Sequence, residues 1–263
     1  MEPRLLQVIT FATSLTGGNP AFVLLGADGA DADALSAVSA LVRADVLAVV
    51  SDPGADRPRL RFVNSSGAHP GAGHALHAAA HVALAAGGRD RIEFVLPDAQ
   101  VRPAWREGAR VATRVPVLPL GVPLDAGVVG AALGARPVEA LATPFGPLAV
   151  LADPEAVRTL APDLAAVAAL GGVGTIVTAA GGSSDVVVRV FAPNAGLPED
   201  PVCGTAHRLL GPYWAPRLGP RLHSRHLSPR GGDLWLDLAD DGTIAIAGLG
   251  VTALEARLHL PLA

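Results

Sequence analysis

Lysine is missing from this chain of 263 residues: all 20 basic side chains are arginine, set against 24 Asp and Glu for a net charge of −4. A nucleic-acid surface needs an excess of basic charge to displace counterions from phosphate, and this balance excludes one. Missing lysine beside abundant Ala, Gly, Arg and Pro reflects codon usage in a GC-rich genome and carries no functional information. Cysteine occurs once, as Cys203, so an internal disulfide and any CxxC-type thiolate metal site are excluded. Long hydrophobic runs are also absent. Half of the residues are hydrophobic, yet 30 Gly and 23 Pro break them into short stretches, none near the ~18 residues that a membrane helix requires. Met1-Glu2-Pro3-Arg4 opens neither a basic n-region nor an apolar h-region, so the expected location is the cytoplasm. Trp105, Trp214 and Trp235 read as packing residues.

What is present is a repeat. Gly18-Asn19-Pro20 leads into the apolar run 21–25, and Gly146-Pro147 leads into 148–151. A helical pattern follows each (34–42 and 156–168), and then a β-branched strand (46–50 and 175–178). Arg61-Phe62-Val63-Asn64 and Arg189-Val190-Phe191-Ala192 form the next matched pair, 128 residues apart. Each leads through a polar loop to a glycine that opens a helix, Gly73-His74-Ala75 and Gly204-Thr205-Ala206. Each half closes with a hairpin pattern, 101–115 around Glu107-Gly108 and 234–246 around Asp240-Asp241-Gly242. The Pro/Gly-punctuated stretch 117–123 reads as the linker. The expected fold is therefore α+β, with an N-terminal lobe 1–118 and a C-terminal lobe 124–263 whose last strand is free to return to the first lobe. Each lobe is expected to wrap a curved, barrel-like sheet around a central helix, since residues 75–86 are apolar on nearly every face. A duplicated fold favours a ligand cleft at the junction of its halves.

A helix start presents unpaired N–H groups and the positive end of the helix dipole, so it takes a carboxylate without a basic side chain. Glycine lets the anion come close to the backbone. Two such starts facing one cleft would hold a small acid and stabilise the charge left when a neighbouring carbon loses its proton. Against this stands the plainer reading that both glycines only begin buried helices. His74, His77 and His81 share one helix face, but no carboxylate or thiolate accompanies them and they are not read as a metal site; His207 is treated likewise.

The motifs Gly17-Gly18-Asn19-Pro20, Gly73-His74-Ala75, Phe191-Ala192-Pro193, the run 196–207 with its Asp-Pro-Val-Cys-Gly-Thr-Ala-His core, and Ser228-Pro229-Arg230-Gly231-Gly232 resemble the PhzF-like isomerases of phenazine-type biosynthesis. The match runs in order from residue 6 to about 257. The resemblance implies the diaminopimelate epimerase-like fold, no metal, no organic cofactor, a homodimer, and proton transfer near a carboxylate. It also implies the site residues: Asp200, Cys203 and His74 as proton carriers, with Asn19, Gly73, Gly204 and Thr205 binding substrate. It places a glutamate acid/base five residues before the Gly-His glycine, where this chain has Ala68. Ser66 and Gly67 cannot replace it. His69 is titratable near neutral pH, but one residue of shift turns a side chain to the other face of an extended segment.

Cys203 stands before the Gly-Thr pair, where epimerase relatives carry a proton-exchanging thiol, and its first-half counterpart is Ala72. The helix dipole is expected to favour its thiolate, while the bland alternative is a small buried hydrophobe. Asp200 has a bland alternative too, as a helix cap. The leading expectation is an isomerase that moves a proton and a double bond in a small carboxylic acid or unsaturated amino acid, for example a 4-alkylproline-type unit in antibiotic biosynthesis. A cofactor-independent amino-acid epimerase or racemase is the second expectation, weakened by Ala68 and Ala72 on one face. A catalytically retired member that binds a small acid or a partner protein is the third.

Overall fold

The structure is a computed structural model describing residues 2–258. The chain divides into two compact units, one built up to Val115 and from Ala247 onward, the other from Pro116 to Ile246.

The first unit runs β1 (Arg4–Thr10), β2 (Asn19–Leu25), α1 (Ala32–Leu41), β3 (Leu47–Ser51), β4 (Arg59–Asn64), β5 (Gly67–Ala68), α2 (Gly73–Gly87), β6 (Arg91–Val95), β7 (Val101–Glu107) and β8 (Arg110–Pro116). β2 and β3 are parallel with Phe22 opposite Leu47, β4 is antiparallel to β3 with Val63 opposite Leu47, and β5 folds back on β4 with Ala68 opposite Val63. β3 is buried along its whole length, as a strand covered on both faces must be. Leu47 and Val49 pack with Leu35 and Val38 of α1. Alternation leaves Ala48 and Val50 for the opposite face, which α2 covers. Small side chains let α2 approach closely, and Ala75, Ala78, Ala79, Ala80 and Ala83 are all buried.

The second unit runs α3 (Ala126–Leu133), β9 (Glu139–Leu141), β10 (Leu148–Val150), α4 (Pro154–Arg158), α5 (Leu164–Ala169), β11 (Thr175–Ala180), β12 (Val186–Ala192), β13 (Leu197–Asp200), α6 (His207–Leu218), β14 (Arg221–His226), β15 (Gly232–Leu238) and β16 (Thr243–Gly248). The wiring repeats that of the first unit. β10 and β11 are parallel, β12 is antiparallel to β11 with Phe191 opposite Thr175, β13 folds back on β12, and β14 is parallel to β12 as β6 is to β4. Val177, Ala179, Val187 and Phe191 pack under α4 and α5. On the other face the Trp214 indole N–H of α6 donates to Thr178 Oγ1 at 3.1 Å. The final strand β17 (Gly250–Arg257) pairs antiparallel with β1, so the first unit is completed by the end of the chain.

Two elements differ from the sequence reading. The helix expected over 156–168 is two short ones: Pro162 interrupts the pattern, and Asp163 then caps a new start by accepting from the Ala165 N–H at 2.9 Å. α3 was not anticipated, although Asp125 accepts from the Gly127 N–H at 2.6 Å and Gly134 closes the helix at φ +70°. A proline inside α6 is also resolved locally. Pro212 cannot donate to the Arg208 carbonyl four residues back, and the Leu118 N–H takes that carbonyl instead, at 2.9 Å.

Candidate active site

In the second unit the site residues share one loop. Asp200 ends β13 opposite Val190, half-buried, and its Oδ1 accepts from the Val202 N–H at 3.1 Å. Beyond it the Cys203 peptide is held on both sides by imidazoles. Its N–H donates to His226 Nε2 at 3.2 Å, and its carbonyl accepts from His207 Nδ1 at 2.9 Å. A carbonyl can only accept, so the His207 proton is on Nδ1, and its Nε2 accepts from the Ser224 hydroxyl at 2.8 Å. Ser228 of the Ser-Pro-Arg-Gly-Gly motif donates to the Pro201 carbonyl at 2.6 Å and accepts from the Gly231 N–H at 3.1 Å. That motif therefore braces the loop from below.

Gly204 does not open a regular helix. Residues 204–206 form a tight turn in which the N–H groups of His207, Arg208 and Leu209 each bond three residues back, and α6 proper begins at His207 with no capping side chain. The expectation of a dipole-favoured thiolate at Cys203 is also overturned. Burial and the neighbouring Asp200 charge push the thiol well above its ordinary range, and its hydrogen bond to Asp200 acts in the same direction. The Thr205 and Ala206 amides pull the other way and are outweighed. Cys203 is a neutral thiol at pH 7, able to donate a proton and unable to take one.

In the first unit α2 does begin at Gly73, behind Ala72, which supplies no capping hydrogen bond. His74 is half-buried in its first turn. Asn19 is buried as the first residue of β2, and its carbonyl accepts from Thr10 Oγ1 at 2.9 Å. The preceding Gly18 has φ +58°, and a Cβ there would stand 2.2 Å from the Thr10 carbonyl oxygen, so only glycine turns the chain into β2.

The register settles which loop positions correspond. The β4–β5 pairing continues past Ala68 to a bond from the His69 N–H to the Phe62 carbonyl at 2.9 Å. Phe62 is matched by Val190, the residue opposite Asp200. His69 and Asp200 each stand four residues before their glycine. They also make the same turn: His69 Nδ1 accepts from the Gly71 N–H at 3.0 Å, as Asp200 Oδ1 does from Val202. His69 is the counterpart of Asp200, and it is not displaced to a wrong face. Burial lowers its pKa.

Ala68 then matches Glu199, whose carboxylate is locked by Arg189 through two bonds of 2.8 and 3.0 Å. Arg189 faces α4, and its Nη1 also donates to the Leu160 carbonyl at 2.7 Å. A glutamate so engaged is the ion-pair partner of a half-buried arginine. Ala68 leaves Arg61, the counterpart of Arg189, without the carboxylate that Glu199 supplies in the second half.

Sequence reasoning missed His226 and Ser224. Their signal was available: in β14 the buried positions are Leu222, Ser224 and His226, so polar residues occupy the inward side of a strand. It also passed over Asp45, an exposed acid two residues before β3. That end of β3 lies beside the start of β2, because the two strands are parallel and Leu47 pairs with Phe22.

Comparison with known proteins agrees with this geometry. An uncharacterised isomerase of Pseudomonas aeruginosa, PA3578, is 36% identical over 268 residues, covering 99% of this chain and all of that protein. A PhzF-family phenazine biosynthesis protein of Enterococcus faecalis superposes with a TM-score of 0.88 at 30% identity, over 99% of this chain and all of the other. A hydroxyproline epimerase of Agrobacterium vitis shares the fold, with a TM-score of 0.60 at 13% identity over 98% of this chain and 94% of its own. The profile of phenazine biosynthesis-like proteins, PhzC-PhzF, matches residues 126–255. The fold is thus that of the diaminopimelate epimerase-like isomerases. Within that class the chain belongs to the PhzF-like, phenazine biosynthesis-like family.

Proposed function

We propose that this PhzF-like isomerase moves a proton within a small carboxylic acid, shifting a double bond by removal and return at carbons near the carboxylate. The observation that carries the reading is the Asp200 loop: a half-buried carboxylate hydrogen-bonded to a neutral thiol, four residues before an uncapped turn of backbone amides. Asp200 is the group that takes the proton, and Cys203 and His74 are candidates to return it. The amides at Gly204–Thr205 and Gly73–His74 hold the carboxylate, with Asn19 orienting it. An unsaturated amino acid of the 4-alkylproline type remains the proposed kind of substrate, and a homodimer the proposed assembly.

Inversion at an α-carbon is a second reading, and one observation favours it. Two-base inversion needs two titratable groups, and His69 holds in the first half the loop position that Asp200 holds in the second. Incubating the protein with small unsaturated acids and amino acids in deuterated water, followed by NMR and optical rotation, separates the readings. Deuterium at a carbon with a shifted double bond supports isomerisation, loss of rotation without a shift supports inversion, and no exchange with any member of the panel counts against both.

A further inference from the structure

Within the core of the second unit, two histidines on different elements converge on a single residue of the reacting loop. His207 opens α6 and His226 ends β14; both are buried, with ring centroids 5.4 Å apart. We infer that His207 and His226 are positioning residues: together they hold both backbone polar groups of Cys203 and so fix where Asp200 and the Gly204–Thr205 amides stand. The inference rests on the reading of this loop as the reacting one.

The tautomers follow from the partners. An amide N–H can only donate, so His226 Nε2 is bare and its hydrogen sits on Nδ1. That Nδ1 is buried and has no hydrogen-bond partner among the described residues. Leaving a buried donor unpaired is costly, and an aliphatic residue at this inward strand position would avoid the cost. The histidine makes sense only through its other nitrogen, the acceptor that meets the Cys203 N–H. Burial, reinforced by the neighbouring His207, keeps His226 neutral and its lone pair in place. His207 is set from the far side by Ser224, two residues before His226 on the same strand, so β14 governs both contacts. Ser228, two residues past the strand, secures Pro201 in the same loop. In the first unit the residue matching His207 is Leu76, and the Ala72 carbonyl takes the Leu76 backbone N–H at 3.0 Å.

The test uses the intact protein labelled with nitrogen-15. Long-range proton–nitrogen spectra should show both histidines in the Nδ1–H form, with a scalar coupling between His226 Nε2 and the Cys203 amide nitrogen. An Nε2–H form of His226 would overturn the inference, whatever the activity proves to be. His226→Leu should speed amide exchange of residues 201–206 at least about tenfold, leave the rest of the second unit protected, and lower kcat for proton exchange about 100-fold, the scale of a 1 Å misplacement. His226→Gln, which offers an oxygen acceptor, should restore most of both. Unchanged loop protection in His226→Leu contradicts the inference. Should that variant not fold, the tautomer and coupling in the unaltered protein decide. Absence of exchange with every acid tried would refute the proposed function alone, because the spectra and loop protection are read without substrate.

Discussion

The two loops that lead to Gly73 and Gly204 make a natural experiment within one chain. Both fold back from a matched strand, both place a titratable residue four positions before the glycine, and both bend through the same side-chain-to-amide turn. They differ beneath that surface. The second loop is gripped at Pro201 and Cys203 by Ser228, His226 and His207, and its neighbouring glutamate is clamped by Arg189. The first has Ala68 at the position of the clamped glutamate, Ala72 at that of Cys203 and Leu76 at that of His207. The two loops share a backbone frame and differ in the charged and polar groups that support it. A preorganised acid belongs where the supports are, which is why the proposal gives the substrate proton to the Asp200 loop.

The predictions probe that asymmetry. Asp200→Asn keeps the turn's acceptor and removes the base, and exchange should fall by about 10²–10⁴-fold, the range for general acid–base groups. His69→Gln in the same assay measures the weaker loop. A loss comparable to that of Asp200→Asn would favour two-base inversion, and a few-fold change would favour a one-sided isomerase. Asp45→Asn tests the acid at the entrance of β3, and a loss equal to that of Asp200→Asn would move the principal base to the first unit and break the comparison.

Stability offers further contrasts. Glu199→Ala strands the Arg189 guanidinium, 11% exposed, and should cost roughly 3 kcal/mol as a broken buried pair, read from urea denaturation at pH 7. Acid should act next. His207, His226 and His77 titrate below the ordinary value of 6.5 because burial disfavours their charged form, His207 near about 4 and His77 near about 3. The unfolded chain therefore takes up protons first as pH falls. Their contribution is intact above pH 6.5 and declines towards about 4 for His207 and about 3 for His77, at roughly 1.4 kcal/mol per pH unit for each group. Urea midpoints from pH 7 to 5 give the check. The smallest effect is expected from Ala68→Glu, which recreates the missing partner for Arg61 and should stabilise the fold by about 1 kcal/mol while leaving exchange unchanged. Gained activity would instead make residue 68 an acid/base position.

Much of this architecture was legible in residue order because the repeat carries it. Matched strands, the buried alanine-rich helix and both hairpins follow from local periodicity and turn residues. Helix breaks were less visible: Pro162 splits a pattern that otherwise reads as one helix, and Asp125 starts one in a segment adjoining the linker. The loop holding Asp200, Cys203, Gly204 and Thr205 is singled out as a candidate site by its motif alone. The state of Cys203 was not legible, since dipole and burial oppose each other and only the surroundings show that burial wins. Correspondence between His69 and Asp200 was open to spacing, since each stands four residues before its glycine, and the strand register and matching turns give it physical content. His226 lies 23 residues from the peptide it holds, beyond any local pattern.

The central claim is that a carboxylate at position 200 moves a substrate proton. Deuterium incorporation into small unsaturated acids, followed by NMR for the wild type and for Asp200→Asn at equal concentration, addresses it directly. The account predicts incorporation by the wild type and a loss of at least about 100-fold in the variant, with acid binding changed only a few-fold. Equal rates in the two proteins would contradict it.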